Sequence, residues 1–193
     1  MPREILFNED EVLKKVVDLF WQKGYNGTSM QDLSSVSGLN RSSIYNSFGS
    51  KINLYKIALK RYQKTTESDF QKVLLESDNS KSALYLFFDK AVESAINNSH
   101  VKGCYIINST VEMSLNNLII KEVLENTQEN LLHFLTTLIL DAQKYGTINL
   151  EDTAPNYAYY LYTSLKGLQV SALLINNPLT LKHITRTILK VLD

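Results

Sequence analysis

Apolar residues recur at helical spacing along almost the whole chain, and strand-like alternation is nearly absent. The first apolar stripe lies between Glu9 and Lys23 and consists of Val12, Leu13, Val16, Leu19 and Phe20. Asn8 can cap a helix over this stretch, and Gly24 is placed to end it. The pattern predicts an all-α protein that begins with an amphipathic helix.

Two short helical stretches separated by a glycine follow this helix. Thr28 can cap the first of them, with Gln31 three residues on in the manner of a capping box. Gly38 is free to adopt the left-handed conformation that a tight turn between helices needs. Asn40 can cap a second helix that runs to Phe48. The succession predicts a helix-turn-helix.

The second of these short helices is unusually polar. Only Ile44 and Phe48, four residues apart, are plainly expected to be buried. The remaining positions offer hydrogen bonds to a partner outside the domain, and they are Arg41, Ser42, Ser43, Tyr45, Asn46 and Ser47.

The rest of the chain continues the helical pattern. Further helices are predicted at about residues 51–75, 81–97, 104–115, 117–145, 153–175 and 180–192, with Thr180 as the cap of the last. In the first of these, the stripe expected to be buried is Leu54, Ala58, Tyr62, Phe70, Val73 and Leu74. We expect two domains, a helix-turn-helix domain at 1–50 and a helical bundle at 51–193, with residues 51–76 as the linking helix.

Composition agrees with two compact units. A chain of 193 residues with 44% hydrophobic residues can bury a sizeable core. The single cysteine, Cys104, rules out an intrachain disulfide. No apolar run approaches the length of a membrane span and no signal-peptide pattern occurs, so a cytoplasmic protein without a membrane partner is expected.

Charge is distributed unevenly although the net charge is zero. Residues 1–66 hold ten Lys and Arg against six Asp and Glu, whereas residues 67–193 hold ten against fourteen. Residues 33–66 carry six basic side chains and no acidic one. Such clustering indicates a polyanion such as double-stranded DNA as a partner of the N-terminal part. A solvated helix face is the alternative for the lysines after Lys51.

The run GYNGTSMQDLSSVSGLNRSSIYNSFGSKINLY resembles the DNA-binding domain of the TetR family of bacterial transcription regulators. The positions that follow the family pattern are Gly24, Thr28, Leu33, Gly38, Ile44, Tyr45, Phe48 and Lys51. The resemblance implies base contacts by Gln31 and Arg41, further base contacts by Ser42 and Asn46, and phosphate contacts by Thr28, Ser43, Tyr45 and Lys51. Arg suits guanine, Asn and Gln suit adenine, and hydroxyls and lysine suit phosphate.

This chain departs from the family pattern inside the polar helix. Asn46 stands where many members have histidine, and Ser47 where an aromatic residue is common. These departures bear on which operator sequence is recognised.

The second half resembles the family's ligand-binding and dimerisation domain at residues 103–108 and 165–170. The resemblance implies a homodimer in which the last two helices of each subunit form a four-helix bundle. The residues expected at that interface are Leu165, Gly167, Leu168, Ala172, Ile184, Ile188 and Val191.

A pocket for an unidentified small-molecule effector is expected among the middle helices. The candidate lining residues are Phe87, Phe88, Tyr105, Asn108, Glu112, Phe134, Tyr159 and Tyr162. Core packing is the alternative for the aromatic residues, because large aromatics mostly fill the cores of helical bundles. Cys104 is either a structural residue or a sensor of oxidants or electrophiles.

The function that these patterns predict is a ligand-released repressor that binds a palindromic operator as a homodimer. A ligand-independent protein of the same fold, acting as a constitutive repressor or in chromosome organisation, is the alternative. A helical-bundle enzyme is disfavoured, because Glu129 and His133 are four apart rather than the three of a di-iron motif. The other histidines are His100 and His183, and no phosphate-binding glycine loop occurs. No catalytic residue, metal site or cofactor is predicted.

Overall fold

The computed structural model describes residues 7–98, 103–175 and 177–193, and His100 lies outside these ranges. The described residues contain helices and no strand, which confirms the all-α prediction. The helices are α1 (Glu9–Lys23), α2 (Met30–Ser37), α3 (Arg41–Phe48), α4 (Lys51–Leu75), α5 (Ser80–Asn98), α6 (Tyr105–Met113), α7 (Leu118–Lys144), α8 (Ala154–Ser171) and α9 (Pro178–Leu189), followed by a 3-10 turn (Lys190–Leu192).

Helix starts and stops in the N-terminal part follow local chemistry closely. The Asn8 side chain accepts a hydrogen bond from the backbone N–H of Glu11 at 3.3 Å, and α1 ends at Gly24 with φ +71°. Asn40 caps α3 by accepting from the N–H of Ser43 at 2.8 Å. The bounds predicted for α1, α3 and α4 are confirmed.

The cap predicted for α2 is wrong. Ser29, not Thr28, is the N-cap, and its hydroxyl accepts from the N–H of Asp32 at 3.0 Å. The Asp32 carboxylate accepts in return from the Ser29 N–H at 2.8 Å, which completes a capping box one residue later than predicted. Thr28 is instead buried, and its hydroxyl donates to the Gly24 carbonyl at 2.6 Å.

The cap predicted for the last helix is also wrong. Asn177 caps α9 by accepting from the N–H of Leu179 at 2.9 Å, and Pro178 is the first helical residue. Proline suits that position because its missing N–H has no intrahelical partner there. Thr180 therefore lies inside the first turn of α9 rather than at its cap.

The chain forms two compact units whose limits differ from the predicted domains. The first unit contains the described residues up to Thr65 together with Asn108–Leu124, and the second contains Thr66–Ile107 and Glu125–Asp193. The first half of α4 thus belongs to the helix-turn-helix unit, and so does a segment from the middle of the chain. Sequence periodicity cannot reveal that segment, because it finds helices and not their packing partners.

The first unit is organised around an aromatic residue of α4 that the predicted stripe omits. Tyr55 is fully buried, and its ring meets that of Phe20 edge-on with centroids 4.8 Å apart. Its hydroxyl is hydrogen-bonded to the buried Ser109 hydroxyl of α6 at 2.7 Å. Leu74, which the same stripe included, is exposed.

The second unit is a helical bundle whose core is formed by α5, α7, α8 and α9 together with the end of α4. Its largest cluster contains Phe70, Phe88, Leu135, Leu161 and Ile188 among other apolar residues. A smaller cluster joins Val92, Leu168, Ala172 and Leu181. The apolar stripes of these helices are therefore largely buried within one chain.

Across the ranges described above, no helix is both long and apolar enough to cross a membrane. Within the same ranges, no three His, Cys, Asp or Glu side chains are grouped so that they could hold a metal ion.

Candidate functional site

The turn between α2 and α3 fixes how the polar helix is presented. Gly38 has φ +72°, in the left-handed region, and its N–H donates to the Ser34 carbonyl at 3.0 Å. The buried Ser37 hydroxyl donates to the Leu33 carbonyl at 2.6 Å. Leu33 is itself fully buried. The turn is therefore closed by its own hydrogen bonds and holds α3 at a fixed angle to α2.

Helix α3 has one buried edge and one exposed polar face. Ile44 and Phe48 are buried, as predicted, and attach the helix to the unit. The exposed residues are Arg41, Ser42, Tyr45, Asn46 and Ser47, whereas Ser43 is half-buried. The exposed face therefore carries a guanidinium, an amide and three hydroxyl groups. Such groups can read base edges and bind phosphates.

Two of the predicted base-contacting residues are brought together across the turn. The Arg41 guanidinium of α3 donates to the Gln31 side-chain oxygen of α2 at 3.3 Å, and both side chains are exposed. Ten residues separate them in sequence. The pair places two side chains capable of bidentate base recognition next to each other.

The predicted phosphate-contacting residues occupy different environments. The Tyr45 side chain is 49% exposed. The Lys51 Nζ lies 4.3 Å from the centroid of the Tyr25 ring. Burial lowers the pKa of Lys51, while the charges of Glu112 and Asp32 act to raise it. Thr28 is only 1% exposed, so its side chain is closed off from an outside phosphate, contrary to prediction.

Glu112 has a structural partner that the sequence did not reveal. Its two carboxylate oxygens accept hydrogen bonds from the backbone N–H groups of Tyr25 at 2.8 Å and Asn26 at 2.7 Å. These amides lie in the loop between α1 and α2. Gly24 has φ +71°, which side-chain-bearing residues rarely adopt, and a Cβ there would also lie 2.7 Å from Glu112 Oε2. Glu112, predicted as an effector anchor, instead clamps this loop.

A second acidic residue strengthens the same region. Asp32 receives a hydrogen bond from the Lys23 ammonium at 2.7 Å, in addition to those from Ser29. The ammonium of Lys23, followed by the hydroxyl and N–H of Ser29, holds the pKa of Asp32 well below its usual range. Asp32 therefore ties the start of α2 to the end of α1.

The residues predicted to line an effector pocket are divided between the two units. Asn108 and Glu112 belong to the first unit, and the aromatic candidates belong to the second. Phe134 stacks on Phe70 with ring centroids 4.6 Å apart and meets Phe87 at 5.5 Å. Phe87 and Phe88 also contact each other, so these aromatics form core packing.

The other three aromatic candidates differ in their exposure to solvent. Tyr105 is buried, Tyr159 is 56% exposed, and Tyr162 is half-buried. Among them, Tyr162 lies beside two residues that sequence reasoning either missed or left open, Lys166 and Cys104. The signal that would have found Lys166 is that it is the only charged residue of α8.

Most residues predicted for the subunit interface are buried in their own chain. Leu165, Leu168, Ala172 and Ile188 belong to the core of the second unit, so little of their surface is left for contact with a partner. Ile184 and Val191 are half-buried, and Gly167 is exposed. The apolar stripe that α8 and the turn after it expose instead consists of Tyr160, Gly167, Val170 and Leu174.

Comparison with known proteins adds two family matches. Residues 12–56 match the model described as bacterial regulatory proteins, tetR family. Residues 81–188 match the model described as tetracyclin repressor-like, C-terminal domain. Together the two matches span both the polar helix and the helical bundle.

Individual relatives agree with these matches. The chain is 31% identical over 153 residues to the uncharacterized HTH-type transcriptional regulator YezE of Bacillus subtilis, covering 79% of each chain. It is 26% identical over 171 residues to the HTH-type transcriptional repressor ComR of Escherichia coli, covering 88% of this chain and 81% of ComR.

The fold is likewise that of a solved regulator. A cysteine variant of the TetR family transcriptional regulator CifR, in complex with 26bp double-strand operator DNA, superposes with a TM-score of 0.87. The superposition covers 99% of this chain and 100% of that chain at 19% sequence identity. At this identity the likeness concerns the fold.

Proposed function

Because the chain belongs to the TetR family of bacterial regulatory proteins, we propose that it is a repressor that binds a palindromic operator as a homodimer and is released by a small molecule. The chain is a helix-turn-helix transcription regulator that binds DNA. The repressor role, the dimer and the release are the proposed parts. We further propose a cytoplasmic location, in keeping with a bacterial regulator that binds DNA.

The observation that carries the DNA-binding proposal is the exposed pair formed by Arg41 of α3 and Gln31 of α2. In the proposal, α3 enters the major groove and Arg41 grips a guanine while Gln31 pairs with an adenine. Ser42 and Asn46 reach adjacent base edges. Ser43, Tyr45 and Lys51 bind flanking phosphates, and Thr28 leaves this set because it is buried.

One copy of α3 offers few base contacts, so specific binding requires two copies at a fixed separation. Recognition helices that enter successive major grooves lie about 34–36 Å apart. A two-fold dimer supplies this spacing and makes the operator a palindrome. We propose the exposed stripe of Tyr160, Gly167, Val170 and Leu174 as the dimer contact, in place of the seam predicted from the sequence.

Release follows if the effector binds better to a dimer whose recognition helices no longer fit successive grooves. A ligand shifts such an equilibrium only by its difference in affinity for the two states. Coupling of about 1–3 kcal/mol, typical of allosteric proteins, changes operator affinity by about 5- to 150-fold.

The central test is Arg41→Ala on an operator selected from random DNA duplexes. We expect specific affinity to fall by roughly 10- to 100-fold, as for loss of one bidentate base contact, with the protein still folded. Arg186→Ala is the matched control, because Arg186 is exposed on α9 in the second unit. Fluorescence anisotropy provides the readout. Equal effects of the two substitutions would refute the role given to Arg41.

Lys51 tests the phosphate contacts. Lys51→Gln should weaken binding to every DNA sequence alike and reduce the slope of log affinity against log salt by about 1. A change in base preference at unchanged salt slope would contradict the assignment.

The dimer is tested by charge insertion on α8. Val170→Glu should shift the protein towards monomer in sedimentation velocity, because it buries a carboxylate in the proposed contact. Val111→Glu is the control, since Val111 is exposed on α6. A dimer that survives Val170→Glu would exclude this stripe as the contact.

The mutual packing of Phe70, Phe87, Phe88 and Phe134 favours a second candidate, a repressor that responds to no small molecule. Side chains that fill a core leave no room for an effector among them. This candidate predicts that no compound releases the protein from its operator in an anisotropy screen.

A further inference from the structure

One face of α8 carries two neutral polar side chains and the only charged side chain of that helix. Tyr162, Lys166 and Gln169 are spaced by four and three residues, so they lie on the same side of the helix. We call these three residues the Lys166 face. The Lys166 Nζ lies 5.3 Å from the centroid of the Tyr162 ring. All three belong to the second unit.

Lys166 is a half-buried cation without an acidic partner. No carboxylate in the described part of the chain lies within ion-pair distance of its ammonium group, and α8 contains no acidic residue. Partial burial lowers the pKa of Lys166, and only its electrostatic interaction with Cys104 acts against this. A cation that is partly removed from water and has no counterion is costly, so its presence points to an anion that binds there.

Gln169 supplies the second unsatisfied group. Its side-chain Oε1 is buried and accepts no hydrogen bond from any residue in the described ranges. Buried polar atoms nearly always have a partner, which makes this oxygen the counterpart of an absent donor. Lys166 therefore requires a negatively charged acceptor, and Gln169, one turn further along α8, requires a hydrogen-bond donor.

The segment that precedes α6 lies against this face. A Cβ on Gly103 would come within 3.1 Å of Leu173 Cδ2, one turn beyond Gln169. Cys104 interacts electrostatically with both Lys166 and Tyr162, and this interaction contributes, after burial, to raising the pKa of Tyr162. Residues 103–104 thus lie near the Lys166 face.

We propose that the Lys166 face binds a small hydroxy acid, whose carboxylate pairs with Lys166 Nζ and whose hydroxyl donates to Gln169 Oε1. An amino acid fits less well, because its ammonium group would bring a second positive charge towards Lys166. The Cys104 thiolate alone could serve Lys166, but it leaves Gln169 without a donor. The inference rests on the proposed function, in which this hydroxy acid is the releasing effector.

Calorimetric titration of the free protein tests the binding. The probes are 4-hydroxybenzoate, salicylate and 3-hydroxybutyrate, each paired with its neutral amide. We expect at least one acid to bind and its amide to bind at least tenfold more weakly. Lys166→Met and Gln169→Leu should each lower the affinity for that acid at least tenfold. Cys104→Ser should leave its affinity unchanged. Lys166→Met removes a partly buried charge that has no counterion, so it should fold with an unchanged or higher Tm.

Several results would overturn the inference. These are failure of all three acids to bind the wild-type protein, equal binding of acid and amide, and wild-type affinity in Lys166→Met. Loss of binding in Cys104→Ser would identify the thiolate, and not an organic acid, as the partner of Lys166.

Operator binding is measured separately by anisotropy, so the two proposals fail differently. If the acids do not bind but the operator does, the inference fails and the DNA-binding proposal stands. If an acid binds through Lys166 without weakening operator binding, the site stands and the proposed release fails.

Discussion

Replacing Glu112 with alanine removes the acceptor of two backbone amides in the loop between α1 and α2. The carboxylate accepts hydrogen bonds from the backbone N–H of Tyr25 at 2.8 Å and from that of Asn26 at 2.7 Å. Both bonds are short and charge-assisted, which makes them stronger than neutral hydrogen bonds. Without Glu112, the loop that leads into the helix-turn-helix loses its attachment to α6.

The expected cost follows from the exposure of the two amides. A hydrogen bond to a charged group contributes about 1.5–3 kcal/mol, but an exposed donor regains much of this from water. The Asn26 bond is exposed and the Tyr25 bond is partly buried, so the net loss should be about 2 kcal/mol. For a chain of this length, that corresponds to a decrease in Tm of about 4–8 °C.

Urea unfolding followed by circular dichroism measures this loss, and hydrogen exchange of the Tyr25 and Asn26 amides localises it. Both amides should exchange faster in Glu112→Ala. Glu122→Ala is the matched control, because Glu122 is exposed on α7 and its replacement should change stability by less than about 0.5 kcal/mol. Equal stabilities of the two variants, with unchanged amide exchange, would refute the clamp.

Three further predictions concern the same unit. Tyr55→Phe leaves the buried Ser109 hydroxyl without its partner, so it should lower the free energy of unfolding by about 1–3 kcal/mol. Adding Ser109→Ala should restore part of this stability, and additive losses of the two substitutions in urea unfolding would contradict the coupling. Gly38→Ala places a side chain at a residue with φ +72°, although the space around it is open, and should lower the free energy of unfolding by about 1–2 kcal/mol. An unchanged Tm in calorimetry would contradict this prediction. The pKa of Asp32 is lowered on folding, so its carboxylate stabilises the fold above the ordinary value of 3.8, and this contribution is lost as pH falls through the folded pKa. Lys23→Met should therefore raise the midpoint pH of acid unfolding, and a lower or unchanged midpoint would exclude the pair.

The candidate DNA-reading face could be predicted from the sequence because its signals are local. Gly38 and Asn40 fix the turn and the start of α3 within a few residues, and the spacing of Ile44 and Phe48 determines which side of α3 is buried. Thr28 and Ser29 show the limit of such signals. Either can begin a capping box, and Ser29 takes the position because the Thr28 hydroxyl is buried against the Gly24 carbonyl.

The contacts that hold the reading face in place were not predictable in this way. Glu112 meets Tyr25 across 87 residues of sequence, and Tyr55 meets Ser109 across 54. Nothing in the neighbourhood of either residue indicates its partner. The same reasoning applies to α8, where helical spacing revealed an apolar stripe but could not tell a core from a subunit contact.

The sequence by itself determined the helices, the turn at Gly38 and the polar face of α3, because caps, glycine conformation and apolar spacing act within one or two turns of helix. Tertiary structure alone decided that Leu165 and Leu168 fill the chain's own core, that Glu112 clamps a distant loop and that Lys166 is half-buried without an acidic partner. Burial and pairing depend on which helices pack together, and that choice is made by the whole chain rather than by any single segment.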